Sequence, residues 1–330
     1  MSQTKINKPL VSVCTPTFNR RAFIPFLIQC FQNQTYPKDR MEWIIIDDGS
    51  DPVGDLLEGI PCVKYYYYKE RMLLGKKRNV MHSKCAGDII VYMDDDDYYP
   101  EERVSHAVET LEENRDVLIA GSSEMHIYFH DLNKLFQCGP YGPYHCTAAT
   151  FAFRKELLLE TYYNDEKALS EETQFLKNYK MPLKQLDTLK TILVIAHSHN
   201  SCDKKMLLEN PASSKVTESK YSVDDFIKNA DIKQFYMYDL HDLLPLYSFG
   251  SPSYKPEVLQ QIEETKVNRA KRLQELEKQR NIKNNDITTV DKLKDYYENI
   301  ISEKSYLINE LLKKVKGLSK ELEQEKQKQK

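Results

Sequence analysis

The stretch DIIVYMDDDD, residues 88–97, joins an apolar run to four consecutive aspartates. The run predicts a buried strand over residues 88–94, and the carboxylates follow where that strand ends. Unit charges ~4 Å apart repel by about 1 kcal/mol even at the dielectric of water, so four adjacent acidic side chains need an explanation. One interpretation is a solvated acidic loop, and the other is a site that binds a positive group.

Strand-like and helix-like segments alternate through the first 121 residues. The predicted strands lie at 10–15, 42–48, 62–68, 88–94 and 116–121, and the predicted helices lie within 19–34 and at 74–86 and 100–114. Asn19 is the predicted N-cap of the first helix, and Pro25 delays its regular part. This order is typical of a three-layer α/β domain whose mixed sheet is mainly parallel, with helices on both faces.

Polar clusters follow three of these strands: TPTFNR at 15–20, DDGSD at 47–51 and DDDD at 94–97. Ligands of such sheets bind beyond the carboxyl ends of the strands, so the clusters predict one site at one edge. In an extended segment alternate residues share a face, so we expect Asp94 and Asp96 to converge and Asp95 and Asp97 to point elsewhere. Converging carboxylates suit Mg²⁺ or Mn²⁺ held together with substrate phosphates.

Beyond residue 121 the pattern changes to strands at 124–129, 146–154 and 191–197, with a helix near 166–179. We therefore predict a ligand-binding half at 1–121, a second half at 122–205, a connecting segment at 206–254 and a helical extension at 255–330. Within that extension an apolar residue recurs every seven positions, at Ile301, Ile308, Val315 and Leu322, and Leu311 and Leu318 fall on the second apolar position of the same repeat. Lys304 and Glu325 interrupt the pattern, which fits either a short coiled coil or one solvated amphipathic helix.

The net charge of −3 comes from 47 basic and 50 acidic side chains, which gives no general attraction to nucleic acid or to anionic membranes. Seven cysteines at irregular spacing argue for reduced thiols and a cytoplasmic location. The N-terminus has no apolar run of signal-peptide length, and no segment approaches the ~20 apolar residues of a membrane span. We expect no nucleic-acid partner and no integral membrane segment.

Basic residues open the segment GKKRNVMHSK at 75–84. Cations near a helix N-terminus can meet a diphosphate. We predict that role for Arg78, because a guanidinium beside an acidic metal site neutralises a leaving pyrophosphate. Lys76 and Lys77 are predicted to form an ordinary solvated turn.

Four motifs occur in order: VSVCTPTFNR at 11–20, WIIIDDGSD at 43–51, GKKRNVMHSKCAGDIIVYMDDDDYYP at 75–100 and LSEETQFL at 169–176. Together they resemble the motifs of family-2-like glycosyltransferases of the GT-A fold, over about residues 9–200. The resemblance implies transfer of a sugar from a nucleoside diphosphate sugar, with UDP favoured, to an acceptor hydroxyl. It also implies inversion of configuration and a need for Mn²⁺ or Mg²⁺, with the nucleotide sugar bound by the half at 1–121 and the acceptor by the half at 122–205.

The resemblance further implies roles for individual residues. Nucleotide-sugar contacts are expected from the first strand end, the second acidic cluster, the basic helix and the acidic run, at Thr15, Pro16, Thr17, Arg20, Asp47, Asp48, Arg78, Asp94 and Asp95. Asp48 is the preferred contact for the base edge. The expected metal ligands are Asp96, Asp94 and the late histidine His199. Many family members have Glu-Asp where this chain has Glu171-Glu172, and Glu172 is the preferred general base, with Glu171 as the alternative.

Two other functions remain open. A metal-dependent nucleotidyltransferase shares strand-end carboxylates and a diphosphate ligand. A degenerate transferase domain could instead act as a scaffold, with the C-terminal helix as its working part. Independently of the function, the C-terminal helix could join copies of the chain into a homo-oligomer. The P-loop glycine pattern is absent from the sequence, which argues against a kinase or ATPase. The acceptor is a glycan or another hydroxyl compound.

Overall fold

The computed structural model describes residues 8–209, 215–286 and 290–328. Its strands are β1 Val11–Thr17, β2 Met41–Asp47, β3 Val63–Tyr67, β4 Ile89–Tyr92, β5 Ile119–Gly121, β6 Met125–Phe129, β7 Lys134–Cys138, β8 Ala152–Arg154, β9 Lys184–Gln185, β10 Leu193–Ala196 and β11 Val216–Glu218. Its α-helices are α1 Ile24–Gln32, α2 Leu74–Lys84, α3 Arg103–Glu113, α4 Glu172–Phe175, α5 Met206–Glu209, α6 Val223–Phe226, α7 Ala230–Gln234, α8 Leu240–Leu243, α9 Pro256–Asp286 and α10 Val290–Lys328.

Seven strands form the main sheet in the order β3-β2-β1-β4-β8-β5-β9. The first four strands of this order run parallel, while β8 is antiparallel to both of its neighbours. A second sheet has the order β10-β6-β7-β11. The prediction of an α/β fold with a mainly parallel mixed sheet is therefore confirmed.

Alternate residues of the central strands pack into two separate apolar cores. Val11 and Val13 of β1 lie in one core with side chains of α1 and α3, whereas Cys14 lies in the other core with Met81 of α2. Successive side chains of a strand point to opposite faces, so one sheet buries helices on both sides. This arrangement is the predicted three-layer architecture.

The first helix begins as Pro25 predicts, but Asn19 is not its N-cap. α1 starts at Ile24 with Phe23 as the capping residue and Pro25 in its first turn. Asn19 has φ 53° and uses its side-chain oxygen to accept a hydrogen bond from the Asp51 N–H at 3.1 Å. The prediction was wrong because Asn19 ties the first strand end to the second acidic cluster instead of to the helix.

The helix predicted near 166–179 is reduced to the single turn α4. Left-handed backbone conformations flank it, at Ser170, Lys177, Asn178 and Tyr179. The buried Phe175 ring stacks on Tyr163 with 4.4 Å between centroids, and Thr161 donates a hydrogen bond to the Phe175 carbonyl at 2.9 Å. Tertiary packing around Phe175 therefore outweighs the local helical pattern.

The connecting segment packs onto the first part of the chain. The Phe235 ring stacks on Phe26 of α1 at 3.6 Å, and the Tyr236 hydroxyl donates to the Asp97 carbonyl at 2.9 Å. The chain then divides into two compact units after Ile262. The predicted start of the helical extension, residue 255, lies eight positions before the first residue of the second unit, Glu263. The predicted divisions at 121 and 205 stay predictions.

In the second unit, α10 carries the predicted seven-residue repeat. The apolar side chains of that repeat are more than half exposed: Ile301, Ile308, Leu311, Val315, Leu318 and Leu322. Among the described residues, no helix combines the length and the apolar composition that crossing a bilayer requires.

Candidate active site

The four aspartates form a turn beyond β4. The strand ends at Tyr92, and the backbone already turns at Asp95 and Asp96. Asp95 Oδ1 lies 3.7 Å from Arg20 Nε, and Asp96 Oδ2 lies 3.4 Å from Arg20 Nη2. Asp94 lies 3.5 Å from Arg78. The expected alternation was therefore wrong: Asp95 and Asp96 share one guanidinium, and Asp94 faces another, because the segment is not extended.

The environment gives these carboxyl groups different proton affinities. Burial raises the pKa of Asp95 to about 6, although Arg20 opposes the shift. Burial also disfavours ionisation of Asp96, but the hydrogen bond from His197 and the charge of Arg20 outweigh it and hold its pKa well below the usual range. Burial and the neighbouring Asp96 charge raise the pKa of Asp97 well above its usual range. Asp97 Oδ1 accepts from the Ile195 N–H at 3.0 Å, which is a structural contact to β10.

The structure places His197, rather than His199, against the acidic turn. His197 Nε2 lies 3.4 Å from Asp96 Oδ2, and burial lowers the pKa of His197 to about 4, so the neutral ring donates to the carboxylate. The Asn200 side chain accepts from the His197 N–H at 2.9 Å and fixes the turn. The His199 backbone carbonyl instead accepts a hydrogen bond from Arg20 Nη2 at 2.7 Å. Its Nδ1 is buried without a hydrogen-bond partner among the described residues.

A cavity of about 390 Å³ opens beside the acidic turn. Its volume is within the range of small-ligand sites. Its walls include the end of β1, the acidic turn, the start of α2 and the loop before α4, through Pro16, Thr17, Arg20, Lys77, Arg78, Asp94, Asp95, Asp96, Asp97 and Glu171. The predicted residues Pro16, Thr17, Arg20, Arg78 and Asp94 to Asp96 are thus brought together at one edge of the sheet.

Two predicted nucleotide contacts lie deeper in the fold. The Thr15 hydroxyl donates to the Met93 carbonyl at 2.6 Å and bridges two strands. Asp47 accepts from the Gly49 and Val53 N–H groups at 2.9 and 3.0 Å, which holds the loop after β2. These contacts use both Asp47 oxygens inside the protein, so the structure gives Thr15 and Asp47 structural roles instead.

Asp48 does not line the cavity itself but contacts two residues that do. Its carboxylate binds the ammonium of Lys77 and accepts from the Met72 N–H at 2.7 Å, and both of these partners line the cavity. The expectation of a solvated turn was wrong for Lys77, which is buried and also donates to the Thr17 carbonyl at 2.9 Å. Lys76 is exposed, as predicted. Asp48 as a contact for the base edge stays a prediction.

Glycine is required where α2 begins. A Cβ on Gly75 would lie 2.0 Å from the Asn164 carbonyl oxygen, and the Gly75 N–H donates to the Lys167 carbonyl at 2.8 Å. This close approach sets α2 against the loop that carries Glu171. Arg78 of α2 is thereby placed between the acidic turn and the glutamate pair.

The two glutamates have different partners. Arg78 Nε donates to Glu171 Oε1 at 2.9 Å, and both side chains are buried. Glu172 Oε1 accepts from the Tyr179 hydroxyl at 3.4 Å, and the Tyr179 ring stacks on His145. Burial, followed by the negative charge of Glu171, raises the pKa of Glu172 to about 7.

Two carboxylates of the acidic turn are candidates for holding a divalent cation. Asp95 and Asp96 both lie beside Arg20, whereas both ring nitrogens of His197 are already engaged: Nε2–H donates to Asp96, and Nδ1 accepts from the His199 N–H at 3.2 Å. Carboxylate oxygens suit Mg²⁺ and Mn²⁺, which usually bind one or two carboxylates together with substrate phosphates. Asp95 and Asp96 are the side chains best placed to hold such an ion.

Three site residues escaped the sequence analysis: Lys77, His197 as the partner of Asp96, and Lys255. Lys255 lines the cavity next to Phe18, with its Nζ 5.6 Å from the centre of that ring. No local pattern marks Lys255, because its partners in the cavity lie far away in the sequence. A signal for Lys77 did exist, since it lies one position before Arg78 in the same basic motif.

The parallel-rich sheet and the strand-end carboxylates beside a cation-lined cavity are features that the resemblance drawn from the motifs implies. Residues 12–160 match the model of glycosyl transferase family 2. This match covers less than half of the chain, and it supports the resemblance drawn from the motifs.

Relatives match over about a third of this chain. An uncharacterized glycosyltransferase of Haemophilus influenzae is 25% identical over 122 residues, covering 36% of this chain and 48% of the relative. The poly(ribitol-phosphate) beta-N-acetylglucosaminyltransferase TarS of Staphylococcus aureus is 28% identical over 119 residues, covering 33% of this chain and 20% of TarS. The GalNAc(5)-diNAcBac-PP-undecaprenol beta-1,3-glucosyltransferase of Campylobacter jejuni is 34% identical over 111 residues, covering 31% of this chain and 33% of the relative. The matched stretch thus spans less than half of each relative.

Solved structures with a similar backbone fold include S. aureus TarS 1–349 in complex with UDP-GlcNAc. Its TM-score is 0.46 and its sequence identity 18%, and the superposition covers 57% of this chain and 59% of that one. The mannosyltransferase PcManGT from Pyrobaculum calidifontis, in complex with GDP-Man and Mn²⁺, has TM-score 0.49 and 14% identity, covering 79% of this chain and 81% of that one.

Proposed function

We propose that the chain transfers a sugar from a nucleoside diphosphate sugar, with a UDP-sugar as the first candidate, to a hydroxyl of a glycan or similar acceptor. The single observation that carries this proposal is the cavity beside the acidic turn, which Arg20, Arg78 and Glu171 line; Glu172 directly follows Glu171 without lining the cavity itself. A carboxyl group whose pKa is raised to about 7 lies next to the Arg78–Glu171 pair that borders a cation-lined cavity. General bases work best when their pKa is near the working pH.

In the proposed reaction, Glu172 accepts the proton of the acceptor hydroxyl while that oxygen forms a bond to the anomeric carbon. The bond from the anomeric carbon to the diphosphate breaks on the opposite face, so the configuration inverts. The departing diphosphate keeps the bonding electron pair, and its negative charge falls beside Arg20 and Arg78. Fixed positive charge at the place where negative charge develops lowers the barrier.

A divalent cation belongs to the same proposal. Asp95 and Asp96 would hold it, with His197 beside Asp96, and it would stabilise the charge of the leaving diphosphate when bound. Asp94 as a further ligand stays a prediction, since its carboxylate already faces Arg78. His199 as a ligand also stays a prediction, and His197 orients Asp96 through its hydrogen bond.

The helix α10 supports a proposal about assembly. Its apolar seven-residue repeat is more than half exposed within its unit. Helices with such repeats bury them by pairing with a second copy. We therefore include a homo-oligomer formed through α10, and a cytoplasmic location inferred from cysteine usage, as parts of the proposal.

Measuring free nucleoside diphosphate tests the proposed function. The full chain is incubated with UDP- and GDP-sugars and Mn²⁺, with and without candidate acceptors such as glycans. Sugar-dependent release of UDP or GDP supports sugar transfer. Pyrophosphate exchange would instead indicate a nucleotidyltransferase, and a folded protein that neither binds nor turns over any nucleotide sugar would indicate a scaffold.

A further inference from the structure

A lysine far beyond the family-matched residues reaches the cavity. Lys255 immediately precedes α9, and its ammonium donates to the Ser201 hydroxyl at 2.9 Å. Its Nζ also lies over the Phe18 ring. Since Lys255, Ser201 and Phe18 all line the cavity, the ammonium is held at the cavity wall.

The segment 247–261, here called the C-terminal strap, is anchored at the mouth of the cavity. The Asn19 side chain donates to the Phe249 carbonyl at 2.9 Å, and Arg20 Nη1 donates to the Gly250 carbonyl at 3.0 Å. The same Arg20 binds Asp95 and Asp96 through its other nitrogens. One end of the strap is therefore fixed to the residue that also holds the acidic turn.

The other end of the strap is fixed as well. Arg71 Nη1 donates to the Tyr254 carbonyl at 2.7 Å and pairs with Glu257 at 2.9 Å. The Gln261 side-chain oxygen accepts from the Ala168 N–H at 3.0 Å. Arg71 and Ala168 both line the cavity. These contacts hold Lys255 in place from both sides.

Lys255 has a different kind of hydrogen-bond partner from three neighbouring cations, which form ion pairs with carboxylates. Arg20 is paired with Asp95 and Asp96, Lys77 with Asp48, and Arg78 with Asp94 and Glu171. Lys255, by contrast, is hydrogen-bonded to a neutral hydroxyl. Burial lowers the pKa of Lys255 to about 7, although the charges of Asp95 and Asp96 oppose the shift. A diphosphate bound at this cavity wall would hold the side chain as the ammonium, and lysine binds phosphate as a compact point charge.

We infer that Lys255 binds the diphosphate of the donor, so that the C-terminal strap completes the donor site. This inference rests on the proposed function, because it assumes a nucleoside diphosphate in the cavity. The strap lies outside residues 12–160, so the family-matched part of the chain lacks this contact.

Calorimetric titration of the full chain with UDP and with uridine, both with Mn²⁺, tests the inference. Lys255→Met should weaken UDP binding by on the order of tenfold or more, which is typical of a lost charged hydrogen bond, and leave uridine binding unchanged. Lys255→Arg should bind UDP within a few-fold of wild type. Lys190→Met is the matched control, since Lys190 is exposed and lies outside the cavity lining.

Chemical acetylation of the wild-type chain supplies a second measurement that needs no variant. UDP should protect Lys255 from acetylation, and uridine should not. Equal UDP affinity in wild type and Lys255→Met, equal losses for UDP and uridine, or no protection by UDP would overturn the inference and leave the proposed function standing. Failure of the wild type to bind either UDP or GDP would overturn the proposed function, and the inference with it.

Discussion

Arg78 Nε donates to Glu171 Oε1 at 2.9 Å, and this ion pair gives two adjacent glutamates different chemistry. Glu171 is committed to a buried cation. Glu172 keeps a carboxyl group whose pKa is raised to about 7 by burial and by the charge of Glu171. The pair thus separates a residue that positions Arg78 from a residue that can accept a proton.

Replacing Glu172 by Gln removes the basicity and keeps the shape of the side chain. We expect the transfer rate to fall by roughly 10²–10⁴-fold, as is typical for a lost general base, with donor affinity close to wild type. Initial rates at saturating donor, together with a donor titration, measure the two effects. Near-full activity of Glu172→Gln would assign the base elsewhere, and His145 and Asp165 would be the next residues to test.

The neighbouring variant Glu171→Gln is the matched comparison. It removes the ion pair with Arg78 and should be the milder change in transfer rate. A larger loss in Glu171→Gln than in Glu172→Gln would move the base to Glu171.

The pH dependence of transfer follows from the raised pKa of Glu172. The base must be ionised, so the rate should rise with pH through about 7 instead of near the ordinary glutamate value of 4.5. In Glu171→Gln the acid limb should move to lower pH, because a negative charge that raises the pKa of Glu172 is gone. Rate profiles of both proteins at saturating donor measure this, and an acid limb that moves to higher pH in the variant would contradict it.

Removing the cation, or the Asp96 carboxylate proposed to hold it, should lower the affinity of the site for nucleotide. We expect Asp96→Asn to lose the Mn²⁺-dependent part of nucleotide affinity, and chelation by EDTA to have the same effect on the wild type. Asp95→Asn should have a smaller effect, because Asp96 keeps Arg20 and His197 as partners. The exposed Asp116→Asn serves as the control. Full Mn²⁺-dependent nucleotide affinity in Asp96→Asn would contradict the assignment of the ion to this turn.

Truncation separates the donor site from the C-terminal helix. Ending the chain after Ile262, where the first compact unit ends, should preserve nucleotide affinity and lower the oligomeric state seen by light scattering. Ending it after Tyr254 removes Lys255 and Val258 from the cavity lining and should weaken nucleotide binding. A folded protein ending at Ile262 that binds no nucleotide would refute this division.

The sequence alone predicts the layered fold because its signals are local. Apolar strands such as 88–94 and the polar residues directly after them identify the sheet edge, and four motifs in order identify the family. The acidic turn was located correctly, but its internal geometry was not, because the chain leaves the extended conformation right after Tyr92.

Contacts between distant residues explain the remaining differences. Lys77 is buried because Asp48 lies opposite it across the β2 loop, and a basic run gives no sign of that partner. His197 and His199 are two positions apart, and only the turn fixed by Asn200 decides which ring meets Asp96. Lys255 reaches the cavity through a strap whose anchors, Asn19 and Arg20, lie more than 200 residues earlier.

Thermal unfolding with nucleotide sugars tests the central claim, a nucleoside diphosphate sugar site with a cation at Asp96, most directly. Wild type and Asp96→Asn are each heated with a panel of UDP- and GDP-sugars, with and without Mn²⁺. A donor present at ~100 times its dissociation constant should stabilise the wild type by about 2.7 kcal/mol. We predict that one donor raises the melting temperature of the wild type more with Mn²⁺ than without it, and that Asp96→Asn loses the Mn²⁺-dependent increase. Absence of any shift with every nucleotide sugar, in a wild-type protein that unfolds cooperatively, would contradict the account.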